Sequence, residues 1–336
     1  MKGSPLVGRR IHTSFLQKVP GATRHYPNLL PFLPLAARRM QLPDVDLVLC
    51  SDAAVAKAMR ADQRSTVVCY CHSPMRYAYE EELRRAYRET LAVPLRPVFD
   101  FGVAAARKID RSAANRVDVF VANSAHVAER IRRAYDREAE VVHPPIDIPE
   151  RPVETERDDY YLSVGFHTAY KRLDLAIEAC GRLGRRLVVI GTGPDVDRLR
   201  EKAPGHVAFL GWQSAESLAM HLSRAKGLLF PGEEDFGMVP VEAFARGCPV
   251  VAYGIGGATE SVKPGVCGVW FRDQTVDGVA AAIRELERST FDSRVMHQES
   301  LRFGRRRFHA EMQAVIERAL SGRRSSRALT SRSAPS

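Results

Sequence analysis

The sequence lacks the features of a membrane-spanning protein and of a secreted, disulfide-bonded one. Its 336 residues contain no apolar run of about eighteen residues, the length that a membrane-spanning helix needs. The N-terminus has no apolar stretch followed by a small-residue cleavage site, as a secretory signal would. The six cysteines form no C-x-x-C pair, so we expect reduced core thiols rather than disulfides or a metal site. These absences favour a cytoplasmic protein.

The sequence also lacks a nucleic-acid-binding motif, although its formal net charge is +10. Its basic residues do not interleave with aromatic ones, and no helix-turn-helix or zinc-finger spacing is present. One arginine-rich cluster, residues 84–137, suits an anionic membrane surface or a lipid-pyrophosphate acceptor. A solvated surface without a specific partner explains that cluster equally well. The other, residues 323–327, lies in a segment of low apolar content, 321–336, which we predict to be a disordered tail.

What the sequence does contain is a regular alternation of strand and helix patterns, which implies parallel sheets. A charged connector with two prolines, residues 149–159, interrupts the alternation, which then starts again. We therefore predict two Rossmann-like α/β domains, residues 1–150 and 151–320, with the last helix returning to the first domain. The predicted strands are 46–50, 66–71, 119–122, 140–143, 160–164, 186–190, 207–210, 227–230, 250–252 and 268–271. The predicted helices are 53–61, 97–115, 125–134, 174–183, 194–202, 214–225, 275–287 and 299–320.

Two glutamates, Glu234 and Glu242, flank a glycine turn in the run from Phe230 to Ala252. The pattern predicts a strand end, a turn, a short helix that ends at Gly247, and a second strand. The amides at the start of this helix would point out of its positive end, beside two carboxylates. That arrangement suits a ligand with an anionic phosphate for the helix and hydroxyl groups for the carboxylates. A solvated helix N-terminus that favours acidic residues is the alternative.

Other chemically notable residues also fall at the carboxyl ends of predicted strands, where ligands of parallel sheets bind. If the two domains face each other, these residues line one cleft. They are His72, Ser124, Lys171, residues 191–194 and Gly256.

Taken together, these motifs resemble glycosyltransferase family 4, whose members are retaining enzymes of the GT-B fold, with two Rossmann-like domains facing across a cleft. The matching stretches are 69–78, 122–124, 141–147, 170–179, 191–194, 210–211, 230–252 and 256–260. Within the family, the likeness is to bacterial mannosyltransferases of O-antigen and exopolysaccharide assembly. This narrower likeness rests mainly on Cys-His-Ser-Pro-Met-Arg-Tyr at 71–77.

The resemblance implies a hexosyltransferase that takes a nucleotide sugar, GDP-mannose, as its donor and needs no further cofactor. Its acceptor would be a lipid-linked saccharide or a nascent polysaccharide at the cytoplasmic face of the inner membrane, with peripheral membrane contact. A UDP-sugar donor stays open, and so does a truncated nucleotide-binding protein without turnover. A dinucleotide-dependent dehydrogenase is disfavoured, because no G-x-G-x-x-G follows a first strand.

The resemblance also implies roles for individual residues. Glu234 would contact hydroxyls of the transferred sugar, Lys171 would neutralise the departing diphosphate, and His72 would lie over the sugar near its anomeric carbon. The donor-binding residues would be Gly237, Met238 and Val239 through their amides, Glu242 through the ribose hydroxyls, Arg172, and Gly191 and Gly193 beside the base. A surface lysine and a core histidine are the alternatives for Lys171 and His72.

The sequence departs from the family pattern in two places. Members usually carry Arg or Gln after the glycine of the turn before the lysine, whereas Gly165 is followed by Phe166-His167 here. Either one phosphate contact is missing, or His167 or Arg172 substitutes for it. The first clear strand starts at Asp46, so the usual opening strand is missing and we expect an incomplete first domain. No D-x-D pair lies in a loop that would present a metal to phosphates, which predicts metal independence.

Overall fold

The computed structural model describes residues 7–20, 32–89 and 91–332, and the chain divides into two compact units. The first unit comprises the described residues up to Ala122, Ala128–Glu140 and those from Val315 onward. The second comprises Asn123–Val127 and Val141–Ala314. Apart from Asn123–Val127 and the part from Val315 onward, the chain passes from the first unit to the second between Glu140 and Val141.

The first unit is built on a four-stranded sheet with the order β1-β2-β3-β4, in which β1, β2 and β3 are parallel. Its strands are β1 Leu47–Asp52, β2 Thr66–Cys71, β3 Val119–Ala122 and β4 Ala139–Val141. Its helices are α1 Leu33–Arg38, α2 Arg76–Tyr79, α3 Glu81–Glu89, α4 Arg96–Ala114 and α5 Ala125–Tyr135, which begins in the second unit. The inner strands β2 and β3 are almost entirely buried, as the strands of a parallel sheet covered on both faces usually are.

The prediction of a helix over residues 53–61 is wrong, because only Ala56–Ala58 form a single 3-10 turn. Lys57 is buried there, with its ammonium 2.7 Å from Asp52 Oδ2 and 2.6 Å from Asp110 Oδ1. The amide of Ala56 donates to Asp52 Oδ1 at 2.6 Å. Ion pairs and side-chain hydrogen bonds, which helix propensity does not include, therefore fix the chain here.

The second unit is built on a six-stranded sheet in which all neighbouring strands are parallel. Its order is β10-β9-β8-β5-β6-β7. The strands are β5 Tyr161–Phe166, β6 Leu187–Thr192, β7 Val207–Gly211, β8 Gly227–Phe230, β9 Val250–Tyr253 and β10 Gly268–Phe271. The chain moves outward from β5 to β7, returns to β8 beside β5, and moves outward again to β10. This doubly wound order places a topological switch point between β5 and β8.

Helices cover the sheet of the second unit on both faces. They are α6 Leu173–Leu183, α7 Pro194–Arg200, α8 Ala215–Arg224, α9 Met238–Ala245, α10 Ala258–Ser261, α11 Val276–Arg288 and α12 Ser293–Ser300. The last helix, α13 Arg305–Arg332, begins in this unit and belongs to the first unit from Val315 onward. Two successive residues of β5, Tyr161 and Leu162, are fully buried in different hydrophobic clusters, one on each face of the sheet. This two-sided burial explains why the strands of this unit appear in the sequence as short continuous apolar runs.

The C-terminal part of the chain differs from its prediction. The single helix predicted over 299–320 is wrong, because α12 ends at Ser300 and Gly304 is extended before α13 begins. The carbonyl of the buried Phe303 accepts from the amide of Ile146 at 2.9 Å, which holds the break in place. The structure continues α13 through residues 321–332, where the sequence predicts disorder; residues 333–336 lie outside the described part. None of the described helices is both long and apolar enough to cross a membrane.

Candidate active site

The glutamate loop, residues 231–237, connects β8 to α9 in the second unit. The strand, the turn, the short helix and the next strand occur in the predicted order, as β8, the loop, α9 and β9. Gly237 is the N-cap of α9 with φ +81°, a left-handed conformation that glycine adopts without steric cost. At the other end Gly247, with φ +77°, lies two residues beyond the last residue of the helix.

An ion pair joins the two strand ends at the switch point. The Lys171 ammonium, in the turn after β5, lies 2.8 Å from Glu234 Oε1 in the glutamate loop after β8. Both side chains are about four-fifths buried, with exposures of 21% and 17%. A Cβ at Gly165 would lie 3.2 Å from Lys171 Nζ, so the ammonium lies directly over the end of β5. The fold therefore brings together two of the three predicted catalytic residues where ligands of such sheets bind.

Arg172 follows Lys171 in the left-handed conformation, with φ 51° and ψ 43°, which is uncommon for a residue other than glycine. Its Nε donates to Asp174 Oδ1 at 3.1 Å, and one terminal nitrogen donates to Asp174 Oδ2 at 3.0 Å. Gln274 accepts from the guanidinium at 3.4 Å and donates to the carbonyl of Pro231 at 2.9 Å. Arg172 thus ties the lysine turn to the glutamate loop, and its predicted contact with a donor stays a prediction.

The predicted base-binding glycines, Gly191 and Gly193, have a structural reason to be glycine. Their φ angles are +116° and +137°, and a Cβ at Gly191 would lie 1.9 Å from the carbonyl oxygen of Gly165. A Cβ at Gly193 would lie 2.2 Å from the carbonyl oxygen of His167. The two strand ends can therefore approach this closely only without side chains. Whether the pair also borders a base stays a prediction.

His167 cannot take the place of the missing family arginine in this arrangement. Its side chain is buried, and its Nε2 lies 3.1 Å from the carbonyl oxygen of Ile190. Burial holds the pKa of this imidazole below its usual range, which favours the neutral form. The next candidate from the sequence, Arg172, is engaged by Asp174. His167 is therefore part of the packing between β5 and β6.

Glu242 lies on α9, five residues after the N-cap at Gly237, and is half-buried. Burial is the largest influence on this carboxyl and raises its pKa, and nearby Asp147 raises it further while Arg246 lowers it. Met238 at the first position of α9 is exposed, and Val239 is half-buried. The first amides of α9 have no partner within the helix, and Glu242 lies about one turn further along it.

A cap that the sequence analysis missed lies in the same unit, at the start of α5. Glu260 Oε2 accepts from the amide of Ala125 at 2.8 Å, and Oε1 accepts from the amide of His126 at 3.0 Å. Ser124 Oγ accepts from the amide of Val127 at 3.0 Å, so Ser124 caps this helix. The same hydroxyl donates to the carbonyl of Asp235 in the glutamate loop. Glu260 belongs to the family-like stretch 256–260, but the spacing of residues in that stretch does not indicate that Glu260 binds amides of α5.

His72, the third predicted catalytic residue, lies in the first unit. It follows β2, and its Nε2 lies 2.8 Å from Ser51 Oγ, beside the end of β1. Its ring meets Tyr70 edge-on, with 5.2 Å between the ring centroids. The histidine is half-buried rather than enclosed in the core. Its catalytic role stays a prediction.

Two family models match successive parts of the chain. The model described as Glycosyltransferase Family 4 matches residues 4–150, and the one described as Glycosyl transferases group 1 matches residues 146–302. Known relatives match over shorter stretches. The GDP-mannose-dependent alpha-(1-6)-phosphatidylinositol monomannoside mannosyltransferase of Mycobacterium tuberculosis is 34% identical over 31% of this chain and 30% of its own length. The D-inositol 3-phosphate glycosyltransferase of Mycobacterium marinum is 31% identical over 54% of this chain and 44% of its own length. The matched parts thus cover less than half of these relatives.

Solved structures agree on the fold. The Anabaena protein HepE, solved in complex with UDP and glucose, has a TM-score of 0.61 over 92% of this chain and 84% of its own, at 17% identity. Sucrose-phosphate synthase from Thermosynechococcus elongatus has a TM-score of 0.56 over 80% and 69%, at 19% identity. Both likenesses concern the fold alone.

Two parallel-sheet α/β units, one with a polar site at its switch point, define a GT-B type protein. The chain belongs to the glycosyltransferases, with a family 4 region followed by a group 1 region. Both the fold class and the family that the sequence indicates are thereby confirmed.

Proposed function

We propose that this chain is a retaining, metal-independent hexosyltransferase that moves mannose from GDP-mannose to a lipid-linked or polysaccharide acceptor. The observation that carries the proposal is the ion pair of Lys171 and Glu234, 2.8 Å apart at the switch point of the second unit. Glu242 and the start of α9 lie on the same polypeptide run. The acceptor would be met at the cytoplasmic face of the inner membrane, with peripheral contact.

The chemistry of these groups suits departure of a nucleoside diphosphate. Breaking the bond between sugar and phosphate places growing negative charge on the diphosphate, and a fixed ammonium stabilises that charge. The amides at the start of α9 add partial positive charge. A donor diphosphate would share the Lys171 ammonium with Glu234. The Glu234 carboxylate would then accept hydrogen bonds from hydroxyls of the sugar. His72 of the first unit would lie over the sugar near its anomeric carbon.

One of the sequence relatives supports mannose as the sugar. The M. tuberculosis relative is named as a GDP-mannose-dependent mannosyltransferase and is 34% identical to this chain over 116 residues. A UDP-sugar donor is the second candidate, and it is supported by the solved neighbour in complex with UDP and glucose. The glycines that would border the base, Gly191 and Gly193, do not discriminate between guanine and uracil.

A donor panel tests the proposal. Binding of GDP and of UDP is measured by calorimetry, and release of each nucleotide from GDP-mannose and UDP-glucose is measured with polyprenyl-linked saccharides as acceptors. We expect GDP to bind more tightly than UDP, and Glu242→Gln to weaken nucleotide binding about tenfold through the lost ribose contacts. Glu285→Gln, a change on the exposed side of α11, is the matched control.

Each outcome of the panel has a distinct meaning. Preferred binding and turnover of UDP-glucose would replace the donor but keep the reaction class. Nucleotide binding without turnover of any donor would favour the non-catalytic alternative. Absence of nucleotide binding in the intact chain would contradict the proposal as a whole. For an active preparation, the anomeric configuration of the product, measured by NMR, decides between retention and inversion.

A further inference from the structure

A single glutamine, Gln274, connects the two segments that carry Lys171 and Glu234. It lies in the loop between β10 and α11 and is half-buried. Its Nε2 donates to the carbonyl of Pro231 at 2.9 Å, and its Oε1 accepts from the Arg172 guanidinium at 3.4 Å. Pro231 is the first residue of the glutamate loop, and Arg172 directly follows Lys171 in the turn before α6. The glutamine therefore bonds to both sides of the candidate site, although it lies outside every stretch that resembles the family.

The two partners of Gln274 explain why an amide suits this position. A guanidinium can only donate hydrogen bonds, and a carbonyl oxygen can only accept them. The amide group has an acceptor and a donor side, so it satisfies both partners at once and in one orientation. A carboxylate would repel the carbonyl of Pro231, and an ammonium would repel the guanidinium of Arg172. The bond to Pro231 has the usual length and the one to Arg172 is long, so the first is the stronger.

The segment that holds Gln274 is fixed by capping and packing. Thr275 caps α11, and its Oγ1 accepts from the amide of Gly278 at 3.1 Å. Helices α6 and α11 are neighbours, because they share one buried hydrophobic cluster and Arg182 of α6 pairs with Asp277 of α11 at 2.6 Å. The starts of the two helices lie together as a result. Gln274 therefore reaches the site from a well-supported part of the second unit.

The turn that Gln274 contacts is strained at Arg172. The left-handed conformation of this residue, with φ 51° and ψ 43°, costs energy for any residue with a side chain. Such a conformation persists only where the surroundings fix it. Here Asp174 and Gln274 both bond to the guanidinium. A turn that lost one of these bonds would relax more easily, and Lys171, the preceding residue, would move with it.

The glutamate loop lies very close to this turn. A Cβ at Gly232 would lie 2.6 Å from the Cα of Lys171, so only a glycine allows the two backbones to approach in this way. Further along the loop, the carbonyl of Glu234 accepts from the amide of Gly257 at 2.8 Å. Gln274 holds the loop immediately before Gly232. The short stretch that ends at Glu234 is therefore bonded at both of its ends, and Gln274 makes the bond nearer to the lysine.

We propose that Gln274 is a positioning residue of the transfer reaction, which holds the turn of Lys171 against the glutamate loop and so keeps the ammonium where the departing diphosphate needs it. The inference rests on the proposed function, because it takes the pair of Lys171 and Glu234 as the centre of the reaction. The two hydrogen bonds of Gln274 go to the neighbours of this pair, so the glutamine acts through the segments that it joins. Its loss should therefore slow the reaction more than it weakens donor binding.

Steady-state kinetics of the full chain with GDP-mannose, or with whichever nucleotide sugar the donor panel selects, test the inference. Gln274→Ala should lower kcat about tenfold and change the donor KM by less than about twofold, as a small displacement of a catalytic group does. Gln274→Glu keeps an acceptor for Arg172 but cannot donate to Pro231, so it should lose kcat to the same degree. Gln298→Ala, which changes an exposed glutamine of α12, is the matched control and should alter neither constant.

A cycle with Lys171→Ala separates positioning from a general loss of structure. If Gln274 acts through Lys171, Gln274→Ala should lower kcat by less than about twofold once the lysine is absent. A purely structural hydrogen bond would give equal losses with and without the lysine. Such equal losses, an unchanged kcat of Gln274→Ala, or full activity of Gln274→Glu would overturn the inference.

A second measurement needs no turnover. Urea unfolding of Lys171→Ala, Glu234→Gln and the double variant gives the coupling free energy between the two side chains. In the Gln274→Ala background this coupling should fall to less than about half, because the two segments are no longer held together. An unchanged coupling would overturn the inference. A chain that shows this fall but turns over no donor would refute the proposed function and leave Gln274 as the residue that positions the pair.

Discussion

Lys171→Ala separates a catalytic lysine from a structural one, because the two roles predict losses of different size. Coulomb's law gives about 6 kcal/mol for unit charges 2.8 Å apart at an effective dielectric constant of about 20, which is an upper bound. Both side chains of the pair keep about a fifth of their exposure, so solvent screens the charges. We therefore expect the free energy of unfolding to fall by only about 1–2 kcal/mol.

The expected loss of rate is larger. If the ammonium stabilises charge that develops on the departing diphosphate, its removal should lower kcat by about 10²–10³, as loss of one preorganised donor does. That factor corresponds to about 3–4 kcal/mol in the activation free energy. The effect on catalysis should thus exceed the effect on stability. Steady-state release of GDP and urea unfolding, measured on the same preparation, give both numbers.

Two companion variants complete this test. Lys263→Ala removes an exposed lysine of the same unit and should change neither quantity. In the double variant Lys171→Ala with Glu234→Gln, the rate losses should be less than multiplicative, because the two side chains act as one unit. A loss of rate below about threefold, alongside the full loss of stability, would refute the catalytic role and leave a structural ion pair.

Three further predictions concern stability. Gly191→Ala should lower the free energy of unfolding by more than about 3 kcal/mol, because its Cβ would lie 1.9 Å from a carbonyl oxygen. Gly205→Ala is the control and should change the free energy of unfolding little, because nothing lies within 4 Å of a Cβ there. Thermal melts of both variants test this, and equal melting temperatures would contradict the close packing at Gly191. Lys57→Met should lower the free energy of unfolding, measured in urea, by about 3–5 kcal/mol, because it leaves two carboxylates buried without their cation. An unchanged free energy of unfolding would show that the carboxylates take up protons instead. The pKa of Glu287 is lowered to about 2, chiefly by the hydrogen bond from Arg185, so its contribution to stability is present above pH 4.5 and is lost as the pH falls toward 2. Glu287→Gln should therefore lower the free energy of unfolding by about 1–2 kcal/mol at pH 7 and reduce its fall between pH 4.5 and 2. If urea unfolding shows the same fall in this pH range for the variant and the parent chain, the hydrogen bond from Arg185 does not stabilise the protein.

Much of the second unit could be predicted from its sequence, because its strands are short apolar runs bounded by glycine, proline or charge. The bounds of the strands Gly227–Phe230 and Gly268–Phe271 agree with prediction at both ends. Buried parallel strands leave this signal since both of their faces are covered. The position of the candidate site could also be predicted, because the carboxyl ends of neighbouring parallel strands meet at one edge of the sheet.

The failures occur where partners distant in the chain decide the structure. The segment around Lys57 has good helix formers, but its ammonium is bound by Asp52 and by Asp110, which lies 53 positions further on. The break before α13 depends on a hydrogen bond from Ile146 to Phe303. The cap that Glu260 places on α5 joins residues 135 positions apart. No local pattern contains such information.

All six cysteines of the chain are buried as free thiols. Burial raises the pKa of the Cys248 thiol to about 12 and that of Cys267 to about 11, so almost none of either is in the reactive thiolate form at neutral pH. A maleimide added to the native protein would therefore react at the pace of local opening, whereas a cysteine introduced on the surface would react at once. One such label in each unit, on an otherwise unmodified chain, would turn the separation of the two units into a spectroscopic distance that can be followed as a nucleotide sugar is added.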